Sequence, residues 1–311
     1  VIVVALATTI LLMFEKKLKP YVLVPEYALL DPLPEHLQAR FNKALTLMHQ
    51  DLAAGLCWEQ IATQSAISPF HFHRQFSELF HETPGQYLSR VRLQYAVHYI
   101  FAEDEFKITD IAHECGYSSS QALGKALKKA LGLTAKEIRA MGVTGTPRQT
   151  ADLMSKLAHP TESGSLENKL AKDLPCELVW YPQRGMKLLP NASEDWDTIF
   201  ETFGEKSTRI MGMTPVNQLE KNWQDIETYM GDWQVCGSEY TKLLAEGHYF
   251  CCDVYLVSDT AYIVALEQLF KVIESLGYQL DTNGHLVEII RDIEITETGG
   301  VTFSFQVPVI V

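Results

Sequence analysis

Ile61-Ala62-Thr63-Gln64-Ser65-Ala66-Ile67-Ser68-Pro69-Phe70-His71-Phe72-His73-Arg74-Gln75-Phe76 is answered, fifty residues on, by Ile111-Ala112-His113-Glu114-Cys115-Gly116-Tyr117-Ser118-Ser119-Ser120-Gln121-Ala122-Leu123-Gly124-Lys125-Ala126-Leu127. Each copy reads as a short helix, a tight turn closed by serine, then an amphipathic helix. The offset is 50 at Ile61 and Ile111. Beyond the turn it is 51, where Phe72 matches Leu123, Arg74 matches Lys125, Phe76 matches Leu127 and Thr83 matches Thr134. A register kept over two apolar positions, one cation and one cap marks a duplicated helix-turn-helix, a unit whose second helix suits a DNA major groove.

The flanks agree. Phe41, Leu45, Met48 and Leu52 recur at helical spacing and predict a support helix from about residue 36 to near Gly55. Ser68 caps a helix whose first residue is Pro69, where a missing N–H does no harm. Phe72, Phe76, Leu79 and Phe80 would face inward; Phe70, His73 and Arg74 would face out. Thr83-Pro84 opens a helix to about Ala102, a strut of roughly 28 Å at about 1.5 Å per residue. With the width of its flanking helices, that approaches the roughly 34 Å between successive major-groove faces. In the second unit Ser118 or Ser119 is the cap, and Thr134 with Glu137 forms a capping box for a last helix. Between Glu114 and Glu137 there is no acid, while Lys125, Lys128, Lys129 and Lys136 supply cations.

At 311 residues the chain has room for two domains, and 47% apolar with 21% charged content suits a globular protein. Charge divides unevenly. Residues 1–176 hold 18 Lys+Arg against 18 Asp+Glu, and 177–311 hold 8 against 21, which is the whole net charge of −13. The acidic half is thus a poor nucleic-acid binder and a plausible host for a neutral or cationic molecule. Cys57, Cys115, Cys176, Cys236, Cys251 and Cys252 show no Cys-x-x-Cys spacing and are read as reduced and buried in a cytoplasmic protein. Val1 to Phe14 is apolar but shorter than the roughly 20 residues a bilayer needs, and it lacks a basic leader region. It reads as an over-extended start, with Met13 as initiator, rather than a membrane anchor. His71 and His73, two apart on a helix, do not share a face, so no metal site and no cofactor are expected.

The expected organisation is an N-terminal arm over 1–35, a double helix-turn-helix over 36–142, a tether over 143–176 with one turn of helix at Leu153, Met154 and Leu157, and a second domain over 177–311. That domain also looks duplicated. Strand 177–181, helix 194–203 and strands 209–215 and 227–236 form one unit. Strand 248–257, helix 260–276 and strands 285–290 and 301–309 form the other. The fold class is therefore all-α followed by α+β, an antiparallel sheet carrying two helices on one face and leaving the other face free.

Residues 40–141 resemble the DNA-binding domain of the AraC/XylS family of transcription regulators. Ile61-Ala62, Ser68, Arg74, Phe76, Thr83-Pro84-Gly85, Tyr87, Arg90, Leu93, Ile108, Asp110-Ile111-Ala112, Gly116-Tyr117-Ser118 and Lys128 carry the resemblance. The second unit departs from the pattern. Leu123 and Leu127 stand for Phe, Lys125 for Arg, Ala135 for Pro, and Gly124 lies inside the helix. The resemblance implies base-facing Phe70, His73 and Arg74 in the first helix, and Ser120, Gln121 and Lys125 in the second. Arginine bridges guanine O6 and N7, glutamine pairs with adenine, and an apolar side chain packs on a thymine methyl; lysine lacks arginine's fork. The second unit is thus expected to read sequence less stringently.

Residues 177–311 resemble the GyrI-like effector-binding domain through Gly247-His248-Tyr249, Ser275-Leu276-Gly277-Tyr278, Glu288 and Val307-Pro308-Val309. Glu288 stands where that family often places a pocket carboxylate, although Ile290 replaces a common aromatic. A buried carboxylate needs a partner. Trp196, Tyr229, Trp233 and Tyr249 are the candidate stacking walls, with Trp180 and Phe303 beside them, for a cationic or aromatic ligand.

The resulting reading is a one-component regulator, not an enzyme, whose partners are double-stranded promoter DNA, RNA polymerase and a small-molecule effector, with no membrane. Two alternatives stand beside it. One is a drug-sequestering or hydrolytic protein using Glu288 as base, although no Ser-His-Asp, metal-ligand or phosphate-loop pattern is present. The other is a co-regulator whose second unit no longer reads DNA.

Overall fold

Serine and threonine caps set several of the helix starts in the first half. The computed structural model describes residues 20–50, 52–102, 106–190, 196–294 and 299–311. Helices α2 (Glu35–His49), α3 (Trp58–Gln64) and α4 (Pro69–Phe80) build the first unit. Helix α5 (Pro84–Ala102) is the strut, and α6 (Ile108–Glu114), α7 (Ser120–Leu131) and α8 (Ala135–Thr144) build the second. Ser68 accepts from the His71 N–H at 3.4 Å, and Ser119, not Ser118, accepts from the Ala122 N–H at 3.2 Å. Thr134 and Glu137 close the expected capping box.

The repeat extends to backbone conformation. The turn residues Ala66 and Gly116 both take positive φ, 56° and 72°, as do the helix-ending residues His81 and Gly132, 54° and 77°. At Gly116 a Cβ would meet the Leu52 carbonyl oxygen at 2.3 Å, so that turn needs glycine for space as well as for conformation. Phe41, Phe72, Phe76, Phe80 and Tyr87 fill one core; Ile100, Ile111, Leu123, Leu127 and Ile138 fill the other. The strut feeds both cores. Tyr87 and Val91 enter the first, while Leu93, Val97 and Ile100 enter the second.

The arm and the tether differ from expectation. Within 1–35, Tyr21–Val22 forms strand β1 and Pro25–Leu30 forms helix α1, while the apolar start at 1–14 lies outside the described residues. Strand β1 pairs with a strand of the second domain, and Leu23 lies in that domain's core, whereas Leu30 joins the first helix-turn-helix core. Residues 143–176 hold two helices, α9 (Pro147–Ser155) and α10 (Leu166–Ala171). Gly, Ser and Thr read as loop-formers, but Thr146 and Ser165 serve as caps. Leu153, Met154 and Leu157 complete the second helix-turn-helix core, so the segment is packed structure and not a tether.

The halves are docked. Gln94 of α5 donates to the Leu157 carbonyl at 2.8 Å and to the Thr260 hydroxyl at 3.3 Å. His98 meets Asp259 at 3.0 Å, and Ile263 packs against the second helix-turn-helix core.

The second half contains β2 (Glu177–Tyr181), β3 (Arg184–Leu188), α11 (Trp196–Phe203), β4 (Ile210–Pro215), β5 (Tyr229–Asp232), β6 (Lys242–Leu244), β7 (Gly247–Leu256), α12 (Asp259–Ser275), β8 (Gln279–Leu280), β9 (His285–Ile293) and β10 (Val301–Ile310). Strand order is β1-β7-β10-β9-β4-β5-β3-β6, with β2 also on β7 and β8 on β10. The parallel β1–β7 pair makes the sheet mixed rather than wholly antiparallel. A duplication is visible in the order: β7-β10-β9 and β3-β5-β4 are two strand-helix-strand-strand units meeting at β9–β4. The first unit therefore starts at β3, not at 177–181 as expected; β2 instead lines β7 of the other unit.

Candidate nucleic-acid interface and ligand site

On α4 the inner positions Phe72, Phe76 and Phe80 are at most 1% exposed, and Phe70 on the outer face is 81% exposed. An aromatic ring this open is free to pack on a partner surface. Arg74 is exposed beside it, and the half-buried His73 rests on Trp58 with ring centroids 5.3 Å apart. Phe70, His73, Arg74 and Trp58 line an open groove with Ser77 and Glu78.

On α7, Leu123 and Leu127 are fully buried where Phe72 and Phe76 stand in the first copy. Gln121 and Lys125 are exposed at the positions matching Phe70 and Arg74, with Ser120 half-buried one residue earlier. The structure thus places all six DNA-contact candidates on the outer sides of two equivalent helices. Lys128 is spent differently: its ammonium donates to the Gly132 carbonyl at 2.7 Å, capping the helix end.

Gly124 occupies the place of His73, and a Cβ there would meet nothing within 4 Å. Gly124→Ala is therefore expected to stabilise the protein by about 0.5–1 kcal/mol, because mid-helix glycine costs chain entropy. Urea denaturation checks this, and an unchanged or lower midpoint would refute the open-space reading.

The sheet separates the five ligand-site candidates. Along β9, Leu286 and Ile290 face the helices and Val287 and Ile289 face away, so Glu288 lies on the helix side. It is 7% exposed. The Tyr262 hydroxyl of α12 donates to it, as does Trp196 of α11. Burial pushes the Glu288 carboxyl up from its ordinary value, against those two bonds. Phe303 lies 5.4 Å from Trp196 and 5.3 Å from Tyr262, centroid to centroid, and completes an aromatic box with Phe305. Gly212, paired with Glu288 across β4 and β9, makes room for the indole: a Cβ there would sit 3.1 Å from it.

Tyr229, Trp233 and Tyr249 pack on the opposite face. Their rings already meet cations of this chain: Lys242 lies 3.6 Å from the Tyr229 centroid, Arg291 5.8 Å from Trp233 and Arg184 5.3 Å from Tyr249. One ligand cannot touch all five residues, so the expectation of a single site narrows to Glu288 and Trp196. Tyr262 is the partner that sequence reasoning missed. Its position in the first turn of α12, after the Ser258 cap, was the available signal.

Comparison with known proteins bears on the helical half. Residues 61–141 match the model of a helix-turn-helix domain family. The HTH-type transcriptional activator RhaS of Klebsiella pneumoniae (strain 342) is 35% identical over 101 residues, which is 32% of this chain and 36% of that protein. RhaS of Escherichia fergusonii is 32% identical over 105 residues, 34% of this chain and 37% of that one. The chain spans little more than a third of the length of these curated relatives. Among solved structures, the DNA-binding domain of AdpA in complex with a target DNA aligns with TM-score 0.30 at 25% identity, over 34% of this chain and 92% of that one. An AraC-type regulator from Chromobacterium violaceum aligns with TM-score 0.32 at 23% identity, over 35% and 96%. Residues 61–141 thus match a helix-turn-helix domain family, and about a third of the chain is similar to HTH-type transcriptional activators.

Proposed function

We propose that the chain is a one-component transcription regulator that reads promoter DNA with α4 and α7, acts with RNA polymerase, and senses a small cationic aromatic molecule through its C-terminal half. The observation that carries this reading is the doubled helix-turn-helix on a single strut, with Phe70, His73 and Arg74 outward on one helix and Ser120, Gln121 and Lys125 outward on its counterpart. Selection of binding sites from random duplexes by the purified full chain tests it; a failure to enrich any motif would remove the sequence-reading function.

The effector part of the proposal rests on Glu288. A buried carboxylate boxed by aromatic rings suits an aromatic cation, which supplies the missing charge and stacks on the walls. Such a ligand would take the place of Tyr262. Helix α12 carries Tyr262 next to Ile263, which packs in the second helix-turn-helix core, and its Thr260 and Asp259 hold Gln94 and His98 of the strut. A shift of α12 would therefore reach the rod that spaces the two reading helices, provided the ligand favours one placement over the other. Aromatic quaternary ammonium cations are expected to raise the melting temperature of the native protein, and Glu288→Gln to weaken that response at least tenfold. Equal shifts in both proteins would rule out Glu288 as the anchor. Because Glu288 is sealed beneath Trp196 and Tyr262, no observation favours the hydrolytic alternative.

A further inference from the structure

Not all six cysteines are buried as expected: Cys57 and Cys236 are exposed and Cys176 is half-buried. Cys176 immediately precedes β2. The ladder begins at Glu177↔Cys251 and Leu178↔Phe250, and its register, extended one step back, sets Cys176 opposite Cys252 on β7. Both side chains turn to the helix-facing side. Cys252 is fully buried in that core, and Cys176 packs at its margin with its thiol donating to the Leu174 carbonyl at 3.5 Å. Residues directly opposed in an antiparallel ladder have Cα atoms about 4.5–5.5 Å apart. That lies inside the roughly 4.4–6.8 Å span of a disulfide, so a pair in this register is within bonding reach.

The other thiols lack such an arrangement. Cys115 and Cys251 are buried, and burial pushes both up to about 12, far from the reactive thiolate form. The neighbouring Cys252 thiol holds Cys176 below its ordinary value, against its partial burial, while solvent can still reach it. One thiol is therefore accessible and activated, and a second, protected thiol is in contact with it. That is what a peroxide-reactive pair requires.

We propose that Cys176 and Cys252 are a reversible peroxide-oxidation site. The Cys176 thiolate attacks the O–O bond of a hydroperoxide and keeps one oxygen as sulfenic acid; the other oxygen leaves as water or an alcohol after taking up a proton. Cys252 then attacks the sulfenic sulfur. The S–S bond forms, the S–O bond breaks, and the hydroxyl leaves with the Cys252 proton as water. With hydrogen peroxide, two thiols lose two electrons and one peroxide becomes two waters. The staple would fasten the start of β2 to the long strand β7, next to the chain leaving α10.

The test uses the full chain with Cys57→Ser and Cys236→Ser, treated with hydrogen peroxide and alkylated after unfolding. Free thiols are expected to fall from four to two. Peptide mapping should show a 176–252 linkage that dithiothreitol reverses. Adding Cys252→Ser should convert the product to sulfenic and then sulfinic acid at Cys176, and Cys176→Ser should leave Cys252 unmodified. The two single variants keep the test decisive if either folds poorly. Four thiols that survive treatment, or over-oxidised Cys176 beside an intact Cys252 in the parent, would overturn the proposal.

Discussion

His159→Ala is expected to destabilise the protein by about 3–5 kcal/mol at neutral pH, the range for removing one partner of a buried charge pair. His159 is 5% exposed and lies between two carboxylates, meeting Glu26 at 2.8 Å through Nε2 and Glu167 at 2.7 Å through Nδ1. Glu167, fully buried, also accepts from the His159 backbone N–H at 3.1 Å. Tyr87 donates to the same oxygen of Glu26 at 2.8 Å, and His49 meets the Tyr87 hydroxyl at 2.8 Å. Alanine would leave Glu26 and Glu167 buried without the imidazolium that bridges them.

The pH dependence follows from the shifts. Burial alone would lower the His159 pKa, but Glu26 and Glu167 outweigh it and raise it to about 9. Its stabilisation is thus complete below about 6.5, the ordinary value, and is lost as pH rises through about 9. Burial would raise Glu26, but His159, then His49, hold it well below the usual carboxylate range. That contribution is present above the ordinary carboxylate value and is lost only in strong acid. The gap between wild type and His159→Ala should therefore be widest near pH 5–6.5 and shrink by roughly 3 kcal/mol toward pH 10. Urea titrations across that range measure it, and a pH-independent gap would show that His159 carries no proton shared with these acids. Hydrogen exchange should also quicken at residues 21–30 and 156–171, since the network ties the arm and the linker to Tyr87 of the strut.

The same cluster explains what sequence could and could not disclose. The double helix-turn-helix was legible because its signals are local: a serine before Pro69, a threonine three residues before Glu137, apolar side chains at helical spacing. The arm and the linker were not legible because what orders them is remote. Glu26 and His159 are 133 residues apart, and Gln94 and Thr260 are 166 apart. Strand β3 escaped notice for another reason. Its Gly185 has no side chain to mark a face, yet a Cβ there would stand 2.5 Å from the Lys242 carbonyl, as one at Gly231 of β5 would stand 2.7 Å from the Lys187 carbonyl, so both allow close strand approach. At Glu288 the period-two pattern was silent, because every residue from Leu286 to Ile290 is buried and neither face is marked as solvent. Its neighbourhood needed the sheet order and the helix positions together.

For the proposed DNA-reading role, Arg74→Ala is expected to weaken binding to a selected site by about 1–3 kcal/mol, roughly 5- to 150-fold, and to relax preference at a single guanine. The reason is geometric. A guanidinium offers two parallel donors to O6 and N7, and Arg74 stands exposed on the outer face of α4 with Phe70 one turn before it, where an apolar ring can cover a neighbouring thymine methyl. Lys125 stands at the matching place on α7 but is a point charge. Lys125→Ala should weaken all sequences alike and lower the salt slope by about one, leaving the selected motif unchanged. Restoring the fork with Lys125→Arg should sharpen preference in the second half-site. Binding titrations over salt concentration, on selected and scrambled duplexes, separate these outcomes. If Arg74→Ala behaved like Lys125→Ala, a phosphate contact would be indicated, and discrimination would have to come from Phe70, His73 and Gln121 instead.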